Sequence, residues 1–221
     1  MDHPDQNEEQ VPQPYPDWFF RRVDDTDDRL FYVEPRLVVH IDEPAIEAIG
    51  SYFRRELPPD GDVLDLMSSW RSHLPDVLPR KRLVGLGMNA AEMRHNPALD
   101  EWVVHDVNAD PRLPFADQTF DAAVVTVSVQ YITRPVEVFS HVRRVLKDGA
   151  AFHVIFSNRM FPTKAVEVWQ RLDSRGRAQL IDSYFQRSGG WESPTESDIS
   201  PGKGTGVDPV LVVSAARHGG I

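Results

Sequence analysis

Four short stretches of this sequence place acidic or polar side chains directly after an apolar run, where they could bind a small ligand. They are Asp65 to Arg71, Gly87 to Asn89, Asp106 to Asn108 and Ser128 to Tyr131. A carboxylate is a strong acceptor for amino and ammonium donors. If the apolar runs are parallel strands, their carboxyl ends meet at one edge of a sheet, where such sheets bind ligands. The spacing therefore predicts one small-molecule site.

Apolar runs alternate with helical periods from residue 42 onward, which is typical of a parallel sheet covered by helices on both faces. We expect a three-layer, doubly wound, Rossmann-like α/β fold with a mostly parallel sheet and an antiparallel last strand. The expected strands are 62–66, 82–87, 102–106, 120–129, 150–157 and 209–217. The expected helices are 42–57, 89–96, 134–147 and 163–188.

Composition limits the classes of partner. The 221 residues carry a formal net charge of -10, and residues 1–30 alone hold nine acidic and three basic side chains. We expect a disordered acidic tail over 1–16, an N-terminal helical lid segment over 17–60 and the main α/β domain over 61–221. An acidic balance without a basic stripe argues against nucleic acid and favours a small-molecule substrate. Nothing in the sequence predicts the oligomeric state.

Cysteine and histidine usage excludes several chemistries. Without cysteine the chain has no disulfide, thiolate zinc site or cysteine nucleophile. Its eight histidines lack H-x-x-x-H and H-E-x-x-H spacing, so we expect no metal site. The longest apolar run, 122–129, is far shorter than a membrane span, and the N-terminal residues contain no secretory core. We therefore expect a cytoplasmic protein without a membrane span.

Longer motifs make the chain resemble a known family. VLDL, GLGMNAAEM, HDVNADPRLPFADQTFD and HVRRVLKDGAAFHV resemble successive motifs of class I S-adenosylmethionine (SAM)-dependent methyltransferases of the type 11-like kind. FYVEPRLVVHID, DLMSSWRSHLP and FSNRMFPTKAVEVW resemble more narrowly a branch with a DLMSSW-type first motif. The resemblance covers residues 18–217. It implies SAM as cofactor and a small-molecule or lipid-like methyl acceptor.

The resemblance also implies roles for particular residues. Asp65 takes the place of an acid that helps hold the methionine end of SAM. Asp106, with Val107 beside it, takes the place of an acid that hydrogen-bonds the adenine amino group. The other expected cofactor contacts are Ser68, Ser69, Gly87, Met88 and Asn89. The expected substrate contacts are Tyr32, Arg36, Tyr131 and Asn158, and the candidates for a general base are His40, Tyr131 and His153.

Two departures from the family pattern concern the turn and the second strand. Met67, Ser69 and Arg71 stand where the family usually has turn glycines. Gly87 stands where an acid usually accepts both ribose hydroxyls, and losing that acceptor costs about 1 to 3 kcal/mol unless Asn89 or a water replaces it.

These departures leave two interpretations of the turn. In the first, Ser68 and Ser69 offer hydroxyl and N–H groups to the SAM carboxylate, while Trp70 covers the ligand or packs beneath the sheet. In the second, the turn is packed, and the chain is a catalytically silent scaffold or regulatory protein.

A dinucleotide site is a further alternative. Gly85, Gly87 and Ala90 match G-x-G-x-x-A, and Asp106 follows 19 residues after Gly87. Against this interpretation, Pro97 cuts the following helix short and nothing nearby supplies a hydride-transfer site.

Overall fold

The chain folds as an α/β sandwich around one mixed sheet. The structure is a computed structural model that describes residues 15–75, 78–202 and 206–220. Its helices there are α1 (Asp28–Phe31), α2 (Glu43–Glu56), α3 (Ala90–Arg94), α4 (Pro135–Val145), α5 (Glu167–Arg171) and α6 (Ser174–Ser188). Its strands there are β1 (Asp62–Leu66), β2 (Arg82–Gly87), β3 (Glu101–Val104), β4 (Phe120–Thr126), β5 (Leu146–Phe156), β6 (Thr195–Asp198) and β7 (Leu211–Ala216).

The strand order is β3-β2-β1-β4-β5-β7-β6. The first five strands pair in parallel, and β7 pairs antiparallel with both β5 and β6. The predicted fold class is therefore confirmed, including the antiparallel last strand. The sequence did not predict β6, because all four of its residues are exposed and polar and provide no alternating apolar signal.

Two apolar cores lie on opposite faces of the sheet, since successive strand residues point to opposite sides. On one face Phe139 of α4 and Phe185 of α6 pack against Phe152 of β5. On the other face Ile49 and Phe53 of α2 are fully buried against the sheet. Helix α2 thus forms an outer layer of the sandwich, and residues 17–42 before it are called the lid segment below.

The N-terminal segment packs against the domain before α2 begins. The Tyr15 hydroxyl lies 2.6 Å from the Ser183 hydroxyl on α6, and its ring stacks at 5.6 Å on Phe19. The expected disordered tail ended at residue 16. Residues 1–14 of it lie outside the described residues, whereas Tyr15 is packed.

Several elements differ in their bounds from the expected ones, and two of these differences have clear local reasons. The expected helix over 163–188 is two helices, because Asp173 interrupts it and its carboxylate accepts the Gly176 N–H at 2.8 Å as the cap of α6. Strand β4 ends at Thr126 rather than 129, because Val127 takes a left-handed backbone conformation with φ 45°.

The connection from β1 to β2 contains no helix in its described residues, 67–75 and 78–81. No helix N-terminus therefore points at the end of β1 from this connection. Across the described ranges, no helix is long and apolar enough to cross a membrane.

Candidate ligand-binding site

A cavity of about 400 Å³ opens at the carboxyl ends of β1, β2, β3 and β4. This volume lies within the range of small-ligand sites. The cavity is lined by every expected cofactor contact: Asp65, Ser68, Ser69, Gly87, Met88, Asn89, Asp106 and Val107. Of the expected substrate contacts and bases, Tyr32, Arg36, His40 and Tyr131 also line it. Folding thus brings together residues that are up to about half the chain apart.

The Asp65 carboxylate is buried at the end of β1, with only 3% of the residue exposed. The hydroxyls of Ser68 and Ser72 both donate to its Oδ2 at 2.6 Å. Burial raises the pKa of Asp65 to about 6, against the lowering effect of these two hydrogen bonds. The acid at this position is therefore held in place by the turn that follows it.

Residues of that turn adopt positive φ angles, which glycine favours, although the turn contains no glycine. Met67, which stands at an expected glycine position, has φ 58°, and His73 farther along has φ 54°. Of the five non-glycine residues with positive φ in the described ranges, Met67, His73 and Val127 line the cavity. Such backbone strain costs on the order of 1 to 3 kcal/mol per residue and commonly collects at functional sites.

The turn crosses directly over the end of β2. The Ser68 N–H donates to the Leu86 carbonyl at 2.8 Å, and a Cβ placed on Gly87 would lie 2.1 Å from the Ser68 carbonyl oxygen. A Cβ on Gly85 would lie 2.6 Å from Leu99. Packing against neighbouring residues therefore explains both glycines, and no pyrophosphate contact is needed to account for them.

The hydroxyls of the turn are already bonded within the protein. Besides the contact of Ser68 with Asp65, the Ser69 hydroxyl donates to Glu92 Oε2 at 2.5 Å. Trp70 lines the cavity, and its Nε1 donates to the Val38 carbonyl at 2.8 Å. Trp70 thus joins the turn to the lid segment above the sheet rather than packing beneath it.

Glu92 of α3 is a cavity residue that the sequence interpretation missed. It is 7% exposed, and its second oxygen accepts the Arg36 N–H at 2.7 Å, so it ties the lid to the turn. The side chain of Asn89 caps α3 and donates to the carbonyls of Tyr32 and Val33. Its amide is engaged within the fold and does not stand free to replace a ribose acceptor. An acid in the first turn of the predicted helix was the available signal for Glu92.

Asp106 shapes the turn that follows β3. Its Oδ1 accepts the N–H groups of Asn108 at 2.9 Å and Ala109 at 3.3 Å. The Asn108 amide then donates to the Tyr131 carbonyl and to Asp28, both at 3.0 Å. The loop after β3 is therefore joined to the loop after β4 and to the lid.

Asp28 anchors the lid in a buried group of charges. It is 5% exposed, accepts two hydrogen bonds from Arg22 at 2.8 Å, and lies 3.1 Å from the ammonium group of Lys164. Lys164 is 1% exposed and also donates to the Thr26 carbonyl at 2.9 Å. Burial opposes ionisation of Asp28, yet these donors hold its pKa below the usual value.

The three candidate bases have different surroundings. His153 lies away from the cavity, beneath α2, where its Nδ1 is 2.9 Å from the Tyr52 hydroxyl and burial lowers its pKa to about 4. Tyr131 lines the cavity, but burial raises its pKa, and its hydroxyl accepts the Phe161 N–H at 2.8 Å. His40 lines the cavity with its ring edge against Phe161, and partial burial lowers its pKa.

The expected substrate contact Asn158 is exposed and does not line the cavity. Its neighbours Arg159, Met160 and Phe161 do, because the chain turns back after β5. His73 and Thr126 also line the cavity without having been singled out from the sequence. Thr126 ends an apolar run, which was the signal available for it. In the described part of the chain, no cluster of three or more potential metal ligands is present.

Residues 81–154 match the family model for the methyltransferase domain. The chain has the class I methyltransferase fold. The match to the domain family covers β2 through most of β5, and the resemblance to class I SAM-dependent methyltransferases is confirmed.

One curated relative is similar to this chain in sequence, and two solved structures are similar to it in fold. The relative is the ubiquinone/menaquinone biosynthesis C-methyltransferase UbiE of Ruegeria sp. (strain TM1040), 35% identical over 69 residues, which are 31% of this chain and 26% of that protein. The match thus spans about a quarter of that relative.

The first structure is the [4+2]-cyclase SpnF, with a TM-score of 0.61, 12% identity, and coverage of 87% of this chain and 92% of that one. The second is phosphoethanolamine N-methyltransferase 2 of Haemonchus contortus with phosphomonomethylethanolamine and S-adenosylhomocysteine, with a TM-score of 0.56, 12% identity, and coverage of 78% and 52%. Because a cyclase and a methyltransferase share this fold, the fold alone does not specify the reaction.

Proposed function

We propose that this protein binds SAM in the cavity and transfers its methyl group to a small-molecule or lipid-like acceptor. The observation that carries the proposal is the cavity at the carboxyl ends of β1 to β4, which gathers Asp65 and Asp106 on one lining. In open α/β sheets, this edge is where ligands bind.

The polar groups of the cavity fit such a ligand. Among the described residues, hydrogen bonds to the Asp106 carboxylate reach only Oδ1, so Oδ2 can accept an adenine amino group. The Thr126 hydroxyl, at the end of β4, is buried without a hydrogen-bond partner in the described structure. A buried polar atom without a partner is uncommon and favours a bound ligand or water at that position.

Catalysis would then depend mainly on positioning. Bound SAM supplies a methyl group that its sulfonium already activates. The chain would hold the acceptor in line and keep water out, with Trp70 and the lid segment around Tyr32 covering the cavity. His40 is the candidate base that suits proton removal, because its lowered pKa keeps the imidazole neutral at pH 7. Tyr131, with its raised pKa, remains a protonated phenol there.

Calorimetric titration with SAM and S-adenosylhomocysteine tests the proposal. We expect micromolar binding that weakens at least about tenfold in Asp106→Ala, the loss typical of one hydrogen bond to a charged group. The matched control is Asp110→Ala, because Asp110 caps the same loop through the Arg112 N–H but does not line the cavity. Equal affinity in both variants would contradict the role of Asp106.

The silent-scaffold interpretation is the second candidate. It is favoured by the packed turn, in which the Ser68 carbonyl occupies the space above Gly87 and both serine hydroxyls are bonded internally. If the wild-type protein binds neither ligand at millimolar concentration, this function replaces the first.

A further inference from the structure

We propose that Arg36 is the anion-binding residue of the cavity and that it takes a carboxylate or similar group of a bound ligand. The inference rests on the proposed function and adds to it a specific recognition contact. The residue lies in the lid segment, and its guanidinium carbon stands 4.3 Å from the centre of the Phe31 ring. Its Nη1 atom is buried and has no hydrogen-bond partner among the described residues.

A buried guanidinium nitrogen without an acceptor is energetically costly, because it has lost its hydrogen bonds to water and no protein hydrogen bond replaces them. The rings of Phe31, Tyr32 and Phe161 lie within 4.3 to 5.8 Å of the guanidinium carbon and offset part of that cost. They also exclude water, which strengthens the attraction for an incoming anion. The surroundings therefore favour charge recognition at this atom.

The acids of the cavity do not neutralise Arg36. In the described structure none of them forms an ion pair with its guanidinium, and Glu92 accepts the backbone N–H of Arg36 rather than its side chain. Asp28 is bonded to Arg22, Lys164 and Asn108, and Asp65 to two serines. The positive charge at this end of the cavity is left for a ligand.

The other cations near the cavity are engaged or exposed. Lys164 is held by Asp24, Asp28 and the Thr26 carbonyl. Arg159 is 60% exposed and pairs with Asp208 at 2.7 Å. Arg71 is exposed and lies over the Trp70 ring. Arg36 thus combines a cavity position with a buried, unpartnered donor.

The anionic group that Arg36 binds could belong to either of two ligands. The carboxylate at the amino-acid end of SAM is one, because the first turn lacks both a helix N-terminus and free serine hydroxyls to receive it. An acidic group on the acceptor is the other, because the Arg36 guanidinium carbon lies 5.7 Å from the centre of the Phe161 ring, which follows β5 and stacks on Tyr131 after β4. The shared chemistry is a planar or tetrahedral oxyanion that a guanidinium can bind through two hydrogen bonds.

The test compares ligands that differ only in the anion, in wild type and in Arg36→Met, which keeps an apolar stem of similar length. For the cofactor arm, the pair is S-adenosylhomocysteine and its carboxamide, which keeps the ammonium group and carbon chain but lacks the carboxylate charge. For the acceptor arm, the pair is 4-phenylbutyrate and its neutral amide, titrated into protein saturated with S-adenosylhomocysteine. Arg54→Met, an exposed residue on α2, removes the same charge away from the cavity.

We expect Arg36→Met to weaken the acidic member of one pair by roughly tenfold to a hundredfold and its neutral partner by less than threefold. The arm that shows the loss identifies the source of the anion. If neither acidic ligand loses affinity, or if Arg54→Met produces the same loss, the assignment of Arg36 is overturned. Failure of the proposed function is a separate result, since wild-type protein would then bind no S-adenosylhomocysteine at all.

Discussion

Among single residues, Asp65 shows most clearly how burial changes the pKa of a side chain. A carboxyl that is fully enclosed loses the hydration of its charged form, so its pKa rises even though two serines donate to it. The folded protein therefore holds a proton on Asp65 more tightly than the unfolded chain, whose aspartates titrate near 3.9.

This difference predicts a pH dependence of stability. The contribution of Asp65 is fully present below about pH 4 and is lost as the pH rises through its folded pKa of about 6. We expect the unfolding free energy of wild type, relative to Asp65→Asn, to fall by about 2 kcal/mol between pH 4.5 and pH 7.5. Urea unfolding of both proteins at the two pH values measures it. A constant difference would show that Asp65 is already ionised at the lower pH.

At the scale of elements, the crossing of the first turn over β2 sets the shape of the site. Asn96 donates to the Ser69 carbonyl and the Ser72 hydroxyl, so the turn is bonded to the chain after α3 as well as to β2. The lid joins this arrangement through Trp70 and Glu92. Turn, lid and α3 therefore form one connected wall of the cavity.

Gly87→Ala tests this crossing. An added methyl group would lie 2.1 Å from the Ser68 carbonyl, so the turn or β2 must shift. We expect a loss of about 2 kcal/mol in unfolding free energy, within the range for overpacked sites. Gly202→Ala is the matched control, because nothing lies within 4 Å of its added methyl and little change is expected. Similar stability of the two variants, measured by urea unfolding, would contradict the crossing. For the same reason, Gly87→Asp would displace the turn instead of restoring a ribose acceptor.

At the scale of the whole molecule, the cavity is closed by segments that are distant along the chain. Arg36 is 56 positions from Glu92, and Asp28 is 80 positions from Asn108. A ligand that bridges the sheet edge and the lid therefore binds the folded chain and not the unfolded one. Such a ligand stabilises the fold by mass action.

We expect S-adenosylhomocysteine at about 100 times its dissociation constant to raise the unfolding free energy by about 2.7 kcal/mol. For a chain of this length, that corresponds to a rise of roughly 5 to 10 °C in Tm. Thermal unfolding with and without ligand measures the shift. At the same ligand concentration, Asp106→Ala should show a smaller one; an equal shift in that variant would place the ligand elsewhere.

The central strands and the positions of the acids that follow them were predictable from local sequence alone. Strands β1 and β2 have the expected bounds, because buried parallel strands are continuous apolar runs that end at polar residues, and that signal is local. The location of Asp65 and Asp106 at the sheet edge follows from the same rule. Strand β6, polar and exposed, left no such signal.

Which of these polar groups can still bind a ligand became visible only in the folded chain. The serines of the turn and Asn89 are hydrogen-bonded to neighbouring residues, whereas Arg36 Nη1 and the Thr126 hydroxyl are buried without partners among residues 15–75, 78–202 and 206–220. His153 was a candidate base on spacing alone, yet its side chain lies beneath α2. The physical reason is that a hydrogen-bond partner is chosen by packing between distant segments, while residue type and spacing report only on the segment that contains them.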